Sequence, residues 1–198
     1  MRMIGVTGPS GSGKSLLSKY FSERGIPVID ADALYHSMLI PPSPCLDAIR
    51  ERFGDGVLSP DGTLDRGALS RIVFNSPEKL ALLNETVLSL VLERVRSLVA
   101  EFETQGEDTV IIDAPTLIES GFNRECHTVI SVIAPAEIRI KRICERDGVS
   151  LQKATERVNA QQSDDFYIKH SDQVLVNDTD EECFKEQVKE LARKLDIM

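Results

Sequence analysis

Eight residues near the start of the sequence have the types and spacing of a loop that binds phosphate. They read Gly8-Pro9-Ser10-Gly11-Ser12-Gly13-Lys14-Ser15 and satisfy the pattern G-x-x-x-x-G-K-[ST] between an apolar run and a helical pattern. The glycines let successive backbone N–H groups turn toward phosphate, and the positive end of the following helix adds to the attraction. In this pattern Lys14 bridges the β- and γ-phosphates and the Ser15 hydroxyl binds Mg²⁺. The motif predicts a site for a nucleoside triphosphate with Mg²⁺, against the alternative of a Gly/Ser-rich turn without function.

Carboxylates follow two other apolar runs. Asp30 and Asp32 come at the end of the second run, and Asp113 comes directly after the third. The carboxyl end of a parallel strand faces the ligand crevice, where a carboxylate can accept the proton of an attacking hydroxyl or contribute to Mg²⁺ binding. The spacing leaves open whether Asp30 or Asp32 does so, since one of them can instead cap a helix. For Asp113 the alternative is a turn-forming role.

Three arginines lie on one face of a predicted helix. Arg139, Arg142 and Arg146 are spaced i, i+3 and i+7. One interpretation is a lid whose guanidiniums close over the triphosphate and neutralise the charge of the transferred group. The other is a solvated surface, because acidic residues lie among them. A further helical pattern over residues 151–161 gives a helix-turn-helix that suits hinged closure.

Short apolar runs separated by long helical patterns must position these side chains. We predict strands over residues 3–7, 27–29, 109–112, 128–134 and 173–176. Because these runs are apolar on nearly every residue, they suit strands buried on both faces of a parallel sheet. The fold class is therefore α/β, a three-layer α/β/α arrangement around a five-stranded parallel sheet. We predict helices over residues 14–24, 77–103 and 180–195, in addition to 151–161.

The wide gap between the second and third strands indicates a helical insertion. We expect one domain with a core of residues 1–32, 105–140 and 170–198. We expect the insertion over about 33–104 to bind the acceptor, and residues 141–169 to form the lid. The alternative for the insertion is a purely structural cap.

Composition and charge exclude several classes of partner. The net charge of −9 disfavours binding to a nucleic-acid backbone. No apolar run approaches the roughly 20 residues of a membrane helix, and the first run is too short for a signal peptide. The four cysteines have the spacing of neither a metal site nor a dense disulfide scaffold, so we expect reduced thiols. We therefore expect a cytoplasmic protein without nucleic-acid or membrane partners.

The end of the fifth strand favours a kinase over a GTPase. The sequence Asn177-Asp178-Thr179-Asp180 lacks the lysine of the N-K-x-D motif that reads guanine. A helical insertion directly after the second strand resembles small-molecule kinases, where it closes over the acceptor.

Taken in order, these motifs resemble the dephospho-CoA kinase family over nearly the whole chain. The matching residues are 8–15, 28–32, 64–66 with Leu69 and Val73-Phe74, 113–119, Arg142, Arg146-Asp147, Arg157, Gln161 and 171–177. The order and spacing of the motifs carry the resemblance, rather than any one of the later motifs.

The resemblance implies transfer of the ATP γ-phosphate to the ribose 3′-hydroxyl of dephospho-CoA, with Mg²⁺ as cofactor. It implies that Asp32 is the general base and contacts the acceptor, that Arg66 helps to hold the acceptor, and that Lys14 and Arg142 stabilise the transferring charge. The residues implied for ATP are Gly11, Ser12, Gly13, Lys14, Ser15, Leu16, Arg142 and Asn177, and those implied for the metal are Ser15 and Asp113. We expect a monomer or a weak homo-oligomer.

The chain departs from the family pattern at four places. Pro9-Ser10 replaces Gly-Ile in the loop, Leu16 replaces Thr, Pro115-Thr116-Leu117-Ile118-Glu119 replaces Pro-Leu-Leu-Phe-Glu, and Leu88-Ser89 stands where the long helix usually has His-Pro. The last change affects acceptor contacts more than chemistry. The alternatives are a kinase for another small hydroxyl acceptor, such as a nucleoside or nucleoside monophosphate, and a nucleotide-binding module without transfer activity.

Overall fold

The computed structural model describes residues 1–197 and has a parallel five-stranded sheet at its centre. The strands are β1 (Arg2–Thr7), β2 (Val28–Asp30), β3 (Thr109–Asp113), β4 (Thr128–Ile133) and β5 (Gln173–Val176). Their order across the sheet is β2-β3-β1-β4-β5. The predicted α/β fold class is confirmed, and the predicted strands differ from the observed ones by at most one residue at either end.

The register of the sheet brings the ends of its strands together. Val6 pairs with Asp113, and Ile133 pairs with Val176. The loop after β1, the acid that ends β3 and the turn after β5 therefore leave the sheet at the same edge. In open α/β sheets this edge is where ligands bind.

Helices connect the strands. They are α1 (Lys14–Ser22), α2 (Ala31–Ser37), α3 (Pro44–Phe53), α4 (Arg66–Val73), α5 (Pro77–Thr104), α6 (Ala136–Asp147), α7 (Leu151–Asn159), α8 (Asp164–Lys169) and α9 (Glu181–Lys194). The four short helices α2, α3, α4 and α8 lie where no bounded helix was predicted. Their starts are marked by side-chain caps rather than by long periodic patterns, as at Ser43, Asp65 and Ser163. Pro44 occupies the first turn of α3, where its missing N–H costs nothing.

The two faces of the sheet are covered differently. On one face the side chains of Ile4 and Val6 pack in a buried cluster with Phe21 of α1 and Phe184 of α9. On the other face Gly5 lies so close to the segment after β3 that a Cβ would approach Leu117 Cδ2 to 2.5 Å. This packing holds β1, and hence the loop that follows it, between two layers.

The chain divides into two compact units. The first comprises residues 1–29 and the chain from residue 101 onward, and the second comprises Asp30–Ala100. The second unit has its own apolar core, which includes Leu46 and Ile49 of α3 and Leu69 of α4. The four cysteines are free thiols. Among residues 1–197, none of the helices combines the length and apolar character needed to cross a membrane.

Candidate nucleotide-binding site

The loop between β1 and α1 needs glycine at three positions. Gly8, Gly11 and Gly13 have φ values of 141°, 80° and 100°, which disfavour other residues. A Cβ at Gly11 would lie 2.7 Å from the carbonyl oxygen of Arg139, and a Cβ at Gly13 would collide with the side-chain amide of Asn177. The glycines therefore permit both the turn of the loop and its close packing against α6 and the end of β5.

Lys14, in the first turn of α1, forms an ion pair with the acid that ends β3. Its Nζ lies 2.7 Å from Asp113 Oδ1, and the hydroxyl of Ser18 donates to Asp113 Oδ2 at 2.6 Å. Asp113 is 6% exposed, so both of its oxygens are satisfied by these partners in a buried setting. Asp113 thus contacts the lysine of the loop, and its binding of Mg²⁺ stays a prediction.

The arginines of α6 contact the loop backbone. Arg139 Nε donates to Ser10 O at 3.1 Å, and Arg142 Nη1 donates to Gly11 O and Ser12 O at 3.4 Å each. Arg146 Nη2 lies 3.4 Å from Ser10 Oγ. Because Arg139 is 4% exposed and Arg142 is part-buried, the solvated-surface interpretation is wrong for these two residues. Their contact with phosphate stays a prediction.

Burial lowers the pKa of the Arg139 guanidinium, and the nearby Asp164 carboxylate partly opposes this shift. Asp164 Oδ1 lies 4.0 Å from Arg139 Nη1. The pKa of a guanidinium is so high that Arg139 remains charged at neutral pH. A buried positive charge therefore lies directly against the phosphate-binding loop.

Asn177 joins the end of β5 to the loop. This residue is 1% exposed, and its Nδ2 donates to Ser12 O at 2.8 Å. Its backbone oxygen and Oδ1 accept from Arg142 at 3.2 and 3.1 Å. The predicted contact of Asn177 with ATP is untested, whereas its observed role is to hold Arg142 and the loop in one arrangement.

Gln161, which follows α7, connects the predicted lid to the loop. Its Oε1 accepts from the backbone N–H of Ser10 at 3.1 Å and from Arg139 Nη2 at 2.7 Å. Gln161 entered the sequence reasoning only as one residue of the family pattern. Ser18 carried no signal apart from its spacing of four residues from Lys14.

The end of α6 is tied to α7 through Asp147. Its carboxylate accepts from Arg146 Nε at 2.7 Å and from Arg157 Nη1 at 2.5 Å. The hydrogen bond from Arg146, together with Arg157, lowers the pKa of Asp147 to about 2. We call the ion pairs of Asp147 with Arg146 and Arg157 the ion-pair clamp. Gly148, in the left-handed region with φ 63°, ends α6 directly after it.

The second unit carries the predicted acceptor-binding residues. Asp30 caps α2, because its Oδ1 accepts from the backbone N–H of Ala33 at 2.9 Å. Asp32 lies exposed in the first turn of the same helix. The structure therefore assigns the capping role, which the spacing had left open, to Asp30.

Arg66 begins α4 and is exposed. Burial and the Cys45 thiol raise the pKa of Tyr35, and the charge of Arg66 partly opposes this rise. The electrostatic influence of Arg66 thus reaches the half-buried phenol of α2, within the same unit.

Oxygen donors from two elements fit the predicted Mg²⁺. Ser15 is exposed in the first turn of α1, one residue beyond Lys14, whose ammonium contacts Asp113. A hydroxyl and a carboxylate are hard ligands, and Mg²⁺ commonly binds through one or two protein oxygens, nucleotide phosphates and water. The donor set is therefore suited to a metal that arrives with a nucleotide.

A glycine loop that opens a helix at the carboxyl edge of this sheet, with Lys14 beside Asp113, is typical of P-loop nucleotide-binding proteins, a class that includes small-molecule kinases. The family model described as dephospho-CoA kinase matches residues 2–182. The chain belongs to the dephospho-CoA kinase family.

Two dephospho-CoA kinases are similar to this chain in sequence, and one solved structure shares its fold. The dephospho-CoA kinase of Symbiobacterium thermophilum is 39% identical over 177 residues, which are 89% of this chain and 74% of that protein. The dephospho-CoA kinase of Carboxydothermus hydrogenoformans is 33% identical over 97% of this chain and 93% of its own length. The crystal structure of TT1252 from Thermus thermophilus superposes with a TM-score of 0.79 at 31% identity, covering 98% and 97% of the two chains.

Proposed function

We propose that this protein transfers the γ-phosphate of ATP to the ribose 3′-hydroxyl of dephospho-CoA, giving coenzyme A and ADP. The observation that carries the proposal is the arrangement of the loop, which has Lys14 paired with Asp113 and the arginines of α6 on its backbone. The choice of acceptor is supported by the family match over residues 2–182.

The nucleotide side of the reaction uses the first unit. The loop residues Gly11–Leu16 bind ATP, with backbone N–H groups and Lys14 directed to the phosphates. Lys14 exchanges Asp113 for the β- and γ-phosphates, and Arg142 stabilises the charge of the transferred group. Ser15 and Asp113 hold Mg²⁺, which when bound neutralises charge on the phosphate oxygens. Asn177 contributes to the ATP site next to the loop.

On the acceptor side, the helical insertion of residues 33–104 binds the substrate that receives the phosphate. Asp32 accepts the proton of the ribose hydroxyl, and Arg66 helps to hold the acceptor. Asp30 caps α2, and the family resemblance gives the role of general base to the second aspartate of Asp30-Ala31-Asp32. Asp32 lies on a helix rather than in a loop, which favours a defined direction of its side chain.

The segment 141–169 acts as the lid. It includes the end of α6 and both α7 and α8. The contacts of Gln161 and Arg146 with Ser10 support a lid whose position depends on the conformation of the loop. Gly148 provides a hinge, because glycine crosses between backbone regions at little cost.

We further propose that the protein acts in the cytoplasm as a monomer or a weak homo-oligomer and binds no nucleic acid. The net charge of −9 supports the last point, since an acidic protein gains little from the release of counterions that drives binding to a nucleic-acid backbone.

A panel of acceptors tests the proposal. ADP release is measured with dephospho-CoA, a nucleoside and a nucleoside monophosphate, and ³¹P NMR identifies a new 3′-phosphomonoester. We expect turnover with dephospho-CoA and its loss in the Lys14→Ala variant. Turnover only with the other two acceptors would contradict the proposal, and no turnover with any of them would favour a nucleotide-binding module.

One observation favours keeping another small hydroxyl acceptor as a second candidate. At Leu88-Ser89, where the family usually has His-Pro, α5 continues without interruption from Pro77 to Thr104. A proline at this interior position would remove a helical hydrogen bond and kink the helix. The side chains of α5 thus differ from the family pattern in the proposed acceptor region, and no proline interrupts the helix there.

A further inference from the structure

One face of α1 holds both oxygens of the Asp113 carboxylate. Lys14 Nζ donates to Oδ1 at 2.7 Å, and Ser18 Oγ donates to Oδ2 at 2.6 Å. Lys14 and Ser18 are four residues apart on α1, so they lie one turn apart on the same face of the helix. Ser18 is 8% exposed and Asp113 is 6% exposed, so the Ser18–Asp113 bond is shielded from water.

Nucleotide binding affects the two partners of Asp113 differently. A P-loop lysine binds the β- and γ-phosphates, which requires Lys14 to release or share Oδ1. Ser18 has a short side chain within α1, and the nucleotide phosphates do not compete with Asp113 for its hydroxyl. Of the two contacts, the one from Ser18 is therefore the one that persists when phosphate is bound.

A hydrogen bond to one oxygen of a carboxylate fixes the orientation of the group and therefore the direction of its other oxygen. We propose that Ser18 is a positioning residue, whose hydroxyl fixes the Asp113 carboxylate so that Oδ1 contributes with Ser15 to binding of Mg²⁺ and nucleotide. Partners that orient metal ligands affect metal affinity without touching the metal. The inference rests on the nucleotide and Mg²⁺ binding of the proposed function and is independent of the acceptor.

Binding of ADP in the presence and absence of Mg²⁺ tests this role without any turnover. Isothermal titration calorimetry gives the Kd of ADP with excess Mg²⁺ and with EDTA, and the ratio of the two values measures the contribution of the metal. The variants are Ser18→Ala, Ser18→Thr, which keeps the hydroxyl, and Ser131→Ala. Ser131 is a matched control, because it is also buried and its hydroxyl forms a hydrogen bond with the hydroxyl of Ser171.

We expect Ser18→Ala to reduce the Mg²⁺-dependent gain in affinity by about 10-fold or more, in the range of other partners that orient metal ligands. The Kd in EDTA should change little, Ser18→Thr should restore the gain, and Ser131→Ala should leave it unchanged. If Ser18→Thr does not fold, the comparison of Ser18→Ala with Ser131→Ala still decides.

Two results would overturn the inference. One is an unchanged Mg²⁺-dependent gain in Ser18→Ala, which includes an equal loss of affinity with and without Mg²⁺. The other is an equal loss of the gain in Ser131→Ala. If the Kd of ADP for the wild-type protein did not depend on Mg²⁺, both the role of Ser18 and the proposed metal site would be wrong. The identity of the acceptor would still be decided separately by the ADP-release panel.

Discussion

Replacement of Arg142 by alanine separates two contributions of this side chain, to the loop at rest and to the transferring phosphate. At rest the guanidinium donates to Asn177 O and Oδ1 at 3.2 and 3.1 Å, and to two loop carbonyl oxygens at 3.4 Å. A hydrogen bond from a charged group contributes about 1.5–3 kcal/mol, but long contacts contribute less and the four share one side chain. We therefore expect Arg142→Ala to lower the free energy of unfolding by about 2 kcal/mol.

The effect on turnover should be larger than the effect on stability. An arginine that neutralises the transferred phosphoryl group contributes on the order of 10³ in rate, which corresponds to about 4 kcal/mol of activation free energy. Loss of folding stability by itself reduces the fraction of active enzyme and not the kcat of the folded molecules. Arg142→Lys keeps a charge without the planar fork of donors, so its kcat should lie between those of the wild type and Arg142→Ala.

The assay combines initial rates at saturating ATP and dephospho-CoA with equilibrium unfolding in urea. Lys141→Ala is the matched control, because Lys141 is the preceding residue of α6, is 77% exposed and pairs only weakly with Glu145 at 3.9 Å. A kcat of Arg142→Ala within about threefold of the wild type, far from the 10³ expected, would refute the role in transfer. The arginine would then serve only to hold Asn177 and the loop.

Three further predictions concern other parts of the chain. Asp32→Asn should lower kcat by about 10²–10⁴-fold and leave the affinity for ADP unchanged. Asp30→Asn should stay active, because asparagine caps a helix as well as aspartate does. Steady-state kinetics of both variants test this, and an active Asp32→Asn variant would show that Asp32 is not the general base. Because the pKa of Asp147 is lowered from 3.8 to about 2, its contribution to stability is present above pH 3.8 and lost as the pH falls toward 2. The difference in unfolding free energy between wild type and Asp147→Asn should therefore shrink over that interval, and a difference independent of pH would contradict the ion-pair clamp. Burial raises the pKa of Cys126 to about 12. The hydrogen bond with Asp180 raises the pKa of Cys183 as well, but this thiol is exposed, so alkylation at neutral pH, mapped by mass spectrometry, should modify Cys183 before Cys126; preferential labelling of Cys126 would contradict its burial.

Much of the scaffold was predictable because its signals are local. The apolar runs indicated all five strands, and the period of three to four residues indicated the long helices α5 and α9. The short helices α3, α4 and α8 were missed, since six to ten residues give little periodic pattern and depend on caps and packing. The spacing of Asp30 and Asp32 left their roles open, and the start of α2 at Ala31 made Asp30 the cap.

Local spacing accounts for the phosphate-binding loop and for the common face of Arg139, Arg142 and Arg146, because a helix of known period places residues three, four and seven apart together. The tertiary structure decided what that face contacts. Asn177 meets the loop across 165 residues of sequence, and Ser18 meets Asp113 across 95. Such contacts depend on the order of strands in the sheet and on the packing of α1 and α6 at its carboxyl edge, and no pattern within one segment of the chain specifies them.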